Sequence, residues 1–542
     1  MLRGVLCIGL FLAAACESEP TDPFVPLLEK HAGVTDPPPD TSNKYAFDPA
    51  VAAFGKQLYF DPLFSGRVLG ADMLLRTMTT PTRGALGQPV DVSCNTCHDV
   101  TKGGSDPTTS PGNYVSFGAG AYDVNSQQSI NSGFLDLVYW NGLNDSLWSQ
   151  IIALVESHVS VNGSRMRVAW RIIDKYRAEY TALFPEYPLP AVMDSVEAQL
   201  ARLEADGTCK LVANACPPEC HTTYGPCLPR FPLEARPGFV EFGQATTCEW
   251  GTTDEILQPY KDAWDCMQLA DQRLATRIYV NFAKAIAAYE MSLVSKNAPF
   301  DQWADAGFAP TSTALSPAAQ RGARLFVGKA ACAECHAGPQ FTDNAFHAIG
   351  VPQVGQYVPT TGDCPKDDPW CDCVSDDFGL PQNCLAIGAR DGLRKLQANR
   401  FRRDSEWSDD EECRRHFALH GQASYAEEHP LECDGRVKYY SLALTDELRG
   451  QWKTPGLREV ALTPPYMHNG MYQTLREVIV HYNDGGIHER GGESIGVIDE
   501  KIKTLNLSEQ EIDDLVAFLE SLTGELDPAV AAEPVVPGPS AF

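Results

Sequence analysis

Cys94-Asn95-Thr96-Cys97-His98 and Cys332-Ala333-Glu334-Cys335-His336 decide how this chain folds. Each is a Cys-x-x-Cys-His pentad. At that spacing two thiols add across the vinyl groups of a c-type haem, and the adjoining histidine is held where its imidazole can bind iron. A zinc half-site or a redox dithiol is the competing reading. The chain has 18 Cys and 12 His in 542 residues, and two chance matches are on the order of one in ten thousand. The sequence therefore predicts two covalently bound c-type haems.

The chain opens with a basic residue, Arg3, a short apolar run through Leu12, and Ala13-Ala14-Ala15-Cys16. Residues 1–16 read as a lipoprotein-type export signal, too short to span a bilayer as a mature helix. Cys16 would become the lipidated N-terminus, and membrane contact is expected only through that lipid. Residues 17–44, rich in Pro, Asp and Thr, read as a flexible tether. The expected location is the periplasm or cell surface. Apart from four haem cysteines, Cys7 and Cys16, twelve cysteines remain in two local sets of six. One set runs from Cys209 to Cys266 and the other from Cys364 to Cys433. Even counts in an exported chain predict disulfide-stapled insertions whose pairing the spacing does not choose.

The formal net charge of −28 argues against a nucleic-acid partner and is compatible with steering toward a basic one. Helical signals dominate. Ser316-Pro317 reads as a cap and first-turn proline ahead of residues 318–327. Ser508 with Glu511 forms a capping box before a run of apolar residues at helical spacing. Residues 273–293 read as a long, largely buried helix. The expected organisation is an N-terminal haem domain over 45–204, a cysteine-rich insertion over 205–270, and a C-terminal haem domain over 271–525. A second insertion, 355–437, interrupts the latter, and 526–542 form a tail.

Further motifs carry a resemblance. Phe54-Gly55-Lys56-Gln57-Leu58-Tyr59-Phe60-Asp61, Cys335 to Asp343 with Phe346-His347, Thr454 to Arg458, and Ala461 to Gly470 follow one another in a familiar order. In these the chain resembles the bacterial di-haem cytochrome c peroxidase family, including its MauG-like branch. The resemblance implies a mainly α fold of two cytochrome-c-like haem domains, here carrying two disulfide-rich irregular insertions. It implies that His98 is the proximal ligand of a peroxidatic haem and His336 that of an electron-relay haem. Tyr482 falls at the relay haem's sixth-ligand position, where many relatives have Met and the MauG-like branch has Tyr. A thioether favours ferrous iron, whereas a phenolate favours higher oxidation states. His481, Met467 and Met471 are the other donors at hand. Trp140 matches the inter-haem tryptophan, which could carry an electron hole. Asn125, through its side chain, and Thr463 and Pro465, through their carbonyls, match the ligands of a calcium ion between the domains.

The match fails in the peroxidatic pocket. Gln150 is present, but Leu154 and Ser160 stand where the family has Pro and its catalytic Glu. Serine is a poor base for moving a proton across peroxide. Glu156 is the expected substitute, with His158 beside it. Cys216-Pro217-Pro218-Glu219-Cys220-His221 has one residue too many for the haem signature and reads as part of the disulfide cluster. The functional expectation is an exported oxidoreductase that takes hydrogen peroxide at the first haem. It would pass oxidising equivalents through Trp140 to a Tyr482-ligated second haem, and on to a small redox protein or a partner's side chain. The competing expectation is a non-peroxidatic di-haem electron-transfer or haem-sensing protein.

Overall fold

A computed structural model describes residues 22–66, 88–106, 115–157, 159–190, 269–355, 388–414, 435–486 and 495–540, with isolated positions between them. Among these the chain is mainly helical, and sheet is limited to two-residue strands. Two cores organise it. The first is built on α1 (Pro49–Phe60), α3 (Leu147–Val155), α4 (Arg165–Lys175) and the long α5 (Leu269–Ser292). The one-turn α2 (Cys94–Cys97) carries the first haem pentad. The second core holds α6 (Pro317–Val327), α8 (Leu475–Asn483) and α9 (Glu509–Glu520). Between α6 and α8 come α7 (Ala389–Ala398) and a two-strand ladder of β1 (Phe346–His347) and β2 (Trp452–Lys453).

The helix ends follow their sequence signals. Asp48 accepts from the backbone N–H groups of Ala50 and Val51 ahead of Pro49, fixing the start of α1. Ser316 caps α6 through Ala319 N, and Ser508 with Glu511 makes the expected capping box on α9. Residues 275–291 of α5 are nearly all buried, so this helix needs neighbours on every side. Gly55 lets α1 approach it, since a Cβ there would lie 1.8 Å from the Ala285 carbonyl oxygen.

Three expectations about organisation change. The helix assigned to the start of the C-terminal domain lies instead in the first core, because α1, α3 and α4 supply the walls that its all-round apolar surface requires. Residues 22–44, expected to be a loose tether, lie against the body. Leu28 is part of the second core, and His31 stacks on Phe341 at 4.9 Å while its Nδ1 meets the Gly338 carbonyl. The tail crosses the other way. Val530, Ala531 and Val536 pack on the first core, and the buried Arg171 guanidinium, paired with Asp61, donates to the carbonyls of Pro537 and Gly538.

The second insertion is also more ordered than its composition suggests. Its described residues form α7 and a following segment, and Leu393 and Leu396 share a small core with Leu137. Cys413 is disulfide-bonded. The other eleven insertion cysteines lie outside the described residues, as do residues 1–21 and the Cys216–Cys220 motif.

Helix α7 rests on the loop that carries Trp140. A Cβ at Gly392 would lie 1.9 Å from the Asn141 carbonyl oxygen. Gly392→Ala is therefore expected to destabilise the protein by about 1–3 kcal/mol, because backbone rather than a movable side chain must yield. Chemical denaturation measures this. An unchanged midpoint would mean that α7 does not bear on the loop.

Candidate functional site

The first pentad folds as the single turn of α2, capped by Ser93, and His98 follows directly. The Tyr59 hydroxyl donates to the His98 carbonyl at 2.8 Å, which ties this turn to α1. His98 Nδ1 lies 3.3 Å from the Gly104 carbonyl oxygen. Donation there fixes the tautomer and leaves Nε2 with its lone pair for a metal. Burial pushes the pKa of His98 down, which favours the neutral ligand form.

The second pentad repeats this chemistry on a 3₁₀ turn, Cys332–Glu334. His336 Nδ1 lies 2.9 Å from the Phe341 carbonyl oxygen, and burial again lowers its pKa. All four pentad cysteines are free. The four thiols and two oriented imidazoles fit two c-type haems.

A continuous cavity opens beside the second pentad, and His336, Tyr482, Trp140, His468 and Lys453 all border it. Tyr482 sits in the last turn of α8. Burial raises its phenol pKa, and Cys332 and Cys335 add to the shift, which places the ring against the second attachment site. Of the competing donors, His481 is committed elsewhere. Its Nε2 meets the Ile349 carbonyl at 2.8 Å and its Nδ1 the Tyr472 hydroxyl at 3.0 Å. Met471 is buried with Val351 and Tyr472, while Met467 borders the cavity.

Trp140 and the calcium residues meet at one point. The Trp140 indole N–H donates to the Asn125 carbonyl at 2.8 Å. Asn125 N donates to the His468 carbonyl at 2.6 Å, and Asn125 Nδ2 to the Pro465 carbonyl at 2.6 Å. Asn125 Oδ1 is buried without a hydrogen-bond partner. An orphaned amide oxygen beside the Pro465 carbonyl, with Thr463 on the same cavity wall, suits a hard cation once the amide turns.

Around the first attachment site the expected acid–base residue is otherwise engaged. Glu156 accepts from Arg165 Nε at 2.9 Å, Nη2 at 2.8 Å and backbone N at 3.0 Å. Both carboxylate oxygens are taken by a buried cation, which argues against Glu156 as a proton carrier. His158 lies outside the described residues. Ser160 is buried, with Tyr122 against it. Gln150 Nε2 donates to Glu290 Oε2 at 3.3 Å.

Residues 49–205 match the family model described as di-haem cytochrome c peroxidase. Over those residues the chain is similar to that family. It is 34% identical over 256 residues to cytochrome-c peroxidase IdrP1 of Denitromonas iodatirespirans, covering 47% of this chain and 52% of the relative. Identity to the methylamine utilization protein MauG of Methylorubrum extorquens is 28% over 253 residues, covering 47% and 46%. The chain thus spans about half the length of these relatives. A solved MauG-like protein associated with microbial copper homeostasis overlays with a TM-score of 0.48 at 19% identity, covering 92% of this chain and 95% of that one, which is too loose to argue from. No helix among the described residues is long and apolar enough to cross a membrane.

Sequence reasoning missed three charged groups near the two attachment sites. Lys453 is 1% exposed, its Nζ has no hydrogen-bond partner, and burial pushes its pKa down to about 8 against the pull of Asp136 and Asp343. Glu290 interrupts the buried run of α5. A lone acid in such a run was a signal available in the sequence. His347 is clamped, with Nε2 3.0 Å from Asp343 and Nδ1 2.7 Å from Asp499. Cys335, Asp343 and His347 are spaced as metal ligands would be, but haem attachment consumes the Cys335 thiol.

The clamp has a pH signature. Asp343 first, then the free Cys335 thiol and Asp499, raise the His347 pKa from its ordinary value of 6.5 to about 11, and the two carboxylates keep it raised once haem takes that thiol. A raised folded-state pKa stabilises fully below the unfolded value of 6.5 and loses that stabilisation as pH climbs toward 11. The stability gap between wild type and His347→Gln should be widest at pH 6 and narrow steadily toward pH 10. A gap independent of pH would contradict the clamp.

Proposed function

We propose that this chain is an exported di-haem oxidoreductase that takes hydrogen peroxide at the haem held by Cys94, Cys97 and His98. Oxidising equivalents pass through Trp140 to the haem held by Cys332, Cys335 and His336, with Tyr482 as its sixth ligand. The observation that carries this reading is the shared cavity wall. Trp140 faces the same space as His336 and Tyr482, and its indole N–H is anchored on Asn125.

The haems, when bound, supply the redox chemistry of peroxide reduction. The residues do the rest. His98 and His336 present Nε2 because their Nδ1 atoms are spent on carbonyls. Tyr482 offers a phenolate oxygen, and the bound metal's charge offsets the raised pKa that burial alone imposes. Trp140 lends an indole of low oxidation potential between the two sites. Asn125, Thr463 and Pro465 hold calcium, which fixes the spacing of the two halves. The final acceptor of oxidising equivalents is a small redox protein or a side chain of a partner protein. The acidic surface suits a basic partner. Export, with a lipid on Cys16, would put the body in the periplasm or at the cell surface, anchored to a bacterial membrane.

A second reading, a non-peroxidatic electron-transfer or sensing protein, draws on the pocket around Ser160 and on the engagement of Glu156 with Arg165. Two experiments separate the readings. Peroxide should drive catalytic oxidation of a reduced basic c-type cytochrome, starting from either the fully ferric or the singly reduced protein. Failure from both states favours the second reading. Tyr482→Met should raise the potential of one haem and change its ligand-field bands while covalent haem content stays constant. Unchanged bands would remove Tyr482 from the iron.

A further inference from the structure

With Ser160 in place of the family's acid and Glu156 bound to Arg165, neither of these two described positions offers a free carboxylate for peroxide cleavage at the first haem. The structure points to one from another part of the chain. Glu290 lies on α5, far in sequence from the pocket residues, and is 6% exposed. Its Oε2 accepts from Gln150 Nε2, the amide that the family resemblance puts at the first haem. No ion pair to Glu290 occurs among the described residues. Its electrostatic neighbours are Cys94 of the first pentad, Tyr59 on α1, Tyr139 beside Trp140, and Tyr289 on its own helix. Among the described residues this is a buried carboxyl without a counter-ion, hydrogen-bonded to Gln150 and close to a haem attachment point.

We propose that Glu290, oriented by Gln150, is the acid–base group for peroxide at the first haem, replacing the carboxylate that Ser160 lacks. This deepens the function proposed above and rests on it. Peroxide must lose the proton on its inner oxygen and gain one on its outer oxygen. The O–O bond then breaks with its electron pair leaving on water, and the haems are oxidised by two electrons. A protonated carboxyl performs the transfer without net change. It donates from one oxygen to the departing water and recovers the inner proton on the other.

Burial pushes the Glu290 pKa up to about 8, with the Gln150 hydrogen bond pulling the other way, so the acid form persists at neutral pH. The groups facing it from α1, from the Tyr139 loop and from its own helix are phenols whose pKa values are raised, and they do not titrate in this range. Cys94, once attached to haem, does not titrate either.

Rapid mixing of the haem-loaded protein with peroxide tests the assignment. Glu290→Gln keeps the size of the side chain and removes the acid, and should slow the first spectral change by about 10²–10⁴-fold. The wild-type rate should fall above about pH 8, and that limb should vanish in the variant. Ser160→Glu added to Glu290→Gln should restore much of the rate, as a merely structural role for Glu290 would not allow. Glu290→Asp serves if Glu290→Gln fails to load haem, and should show the same limb with a lower plateau. Infrared difference spectra without peroxide give a readout independent of turnover: a protonated carboxyl stretch that bleaches above about pH 8 in wild type and is missing from Glu290→Gln. A variant as fast as wild type overturns the assignment of Glu290 alone. A wild-type protein inert to peroxide overturns the peroxidase reading together with it.

Discussion

Asn125 makes the hydrogen bonds on which the functional geometry depends. Its backbone N–H reaches the His468 carbonyl, its amide the Pro465 carbonyl, and its own carbonyl holds the Trp140 indole. Three such bonds are worth roughly 3 kcal/mol net, a modest sum for a protein of this size. Their value lies in position. They join the segment after the first pentad to the segment after the second, and they set the indole at the junction. His468 sits just beyond, 2% exposed and stacked on Trp452 at 3.8 Å, with its pKa pushed down to about 3 by burial. A neutral ring there adds no competing charge beside the tryptophan.

The rest of the chain braces this junction. The first core takes α5 from beyond the first insertion, and the second takes residues near Leu28 from the beginning of the described chain. The C-terminal segment returns to the first core and is held by Arg171. Each end of the described chain therefore packs on the half that the other end builds. The described part of the second insertion presses α7 on the Trp140 loop, so this added sequence braces the loop on which the proposed electron path depends.

Much of this was legible in the sequence because the signals were local. A pentad fixes haem attachment through spacing alone, and Ser316-Pro317 and Ser508 with Glu511 fix helix starts through hydrogen bonds within one turn. What sequence missed depends on contacts between distant segments. Glu156 looked available until Arg165, nine residues on, proved to fold back on it. Glu290 was hidden because Gln150 meets it only when α3 packs on α5. Residues 22–44 looked like a tether because their composition is polar, yet Leu28 and His31 find an apolar partner more than 300 residues away. Haem sites, in short, are written within a few residues, and the proton chemistry around them is written across the fold.

We propose that the two haems act as one oxidisable unit joined through Trp140. The most direct measurement is to add one equivalent of hydrogen peroxide to the fully ferric protein and follow visible and near-infrared absorption. The expected result is a long-lived oxidised species that perturbs the bands of both haems and gains a near-infrared band from charge shared between them. Changes confined to one haem, with no near-infrared band, would contradict it.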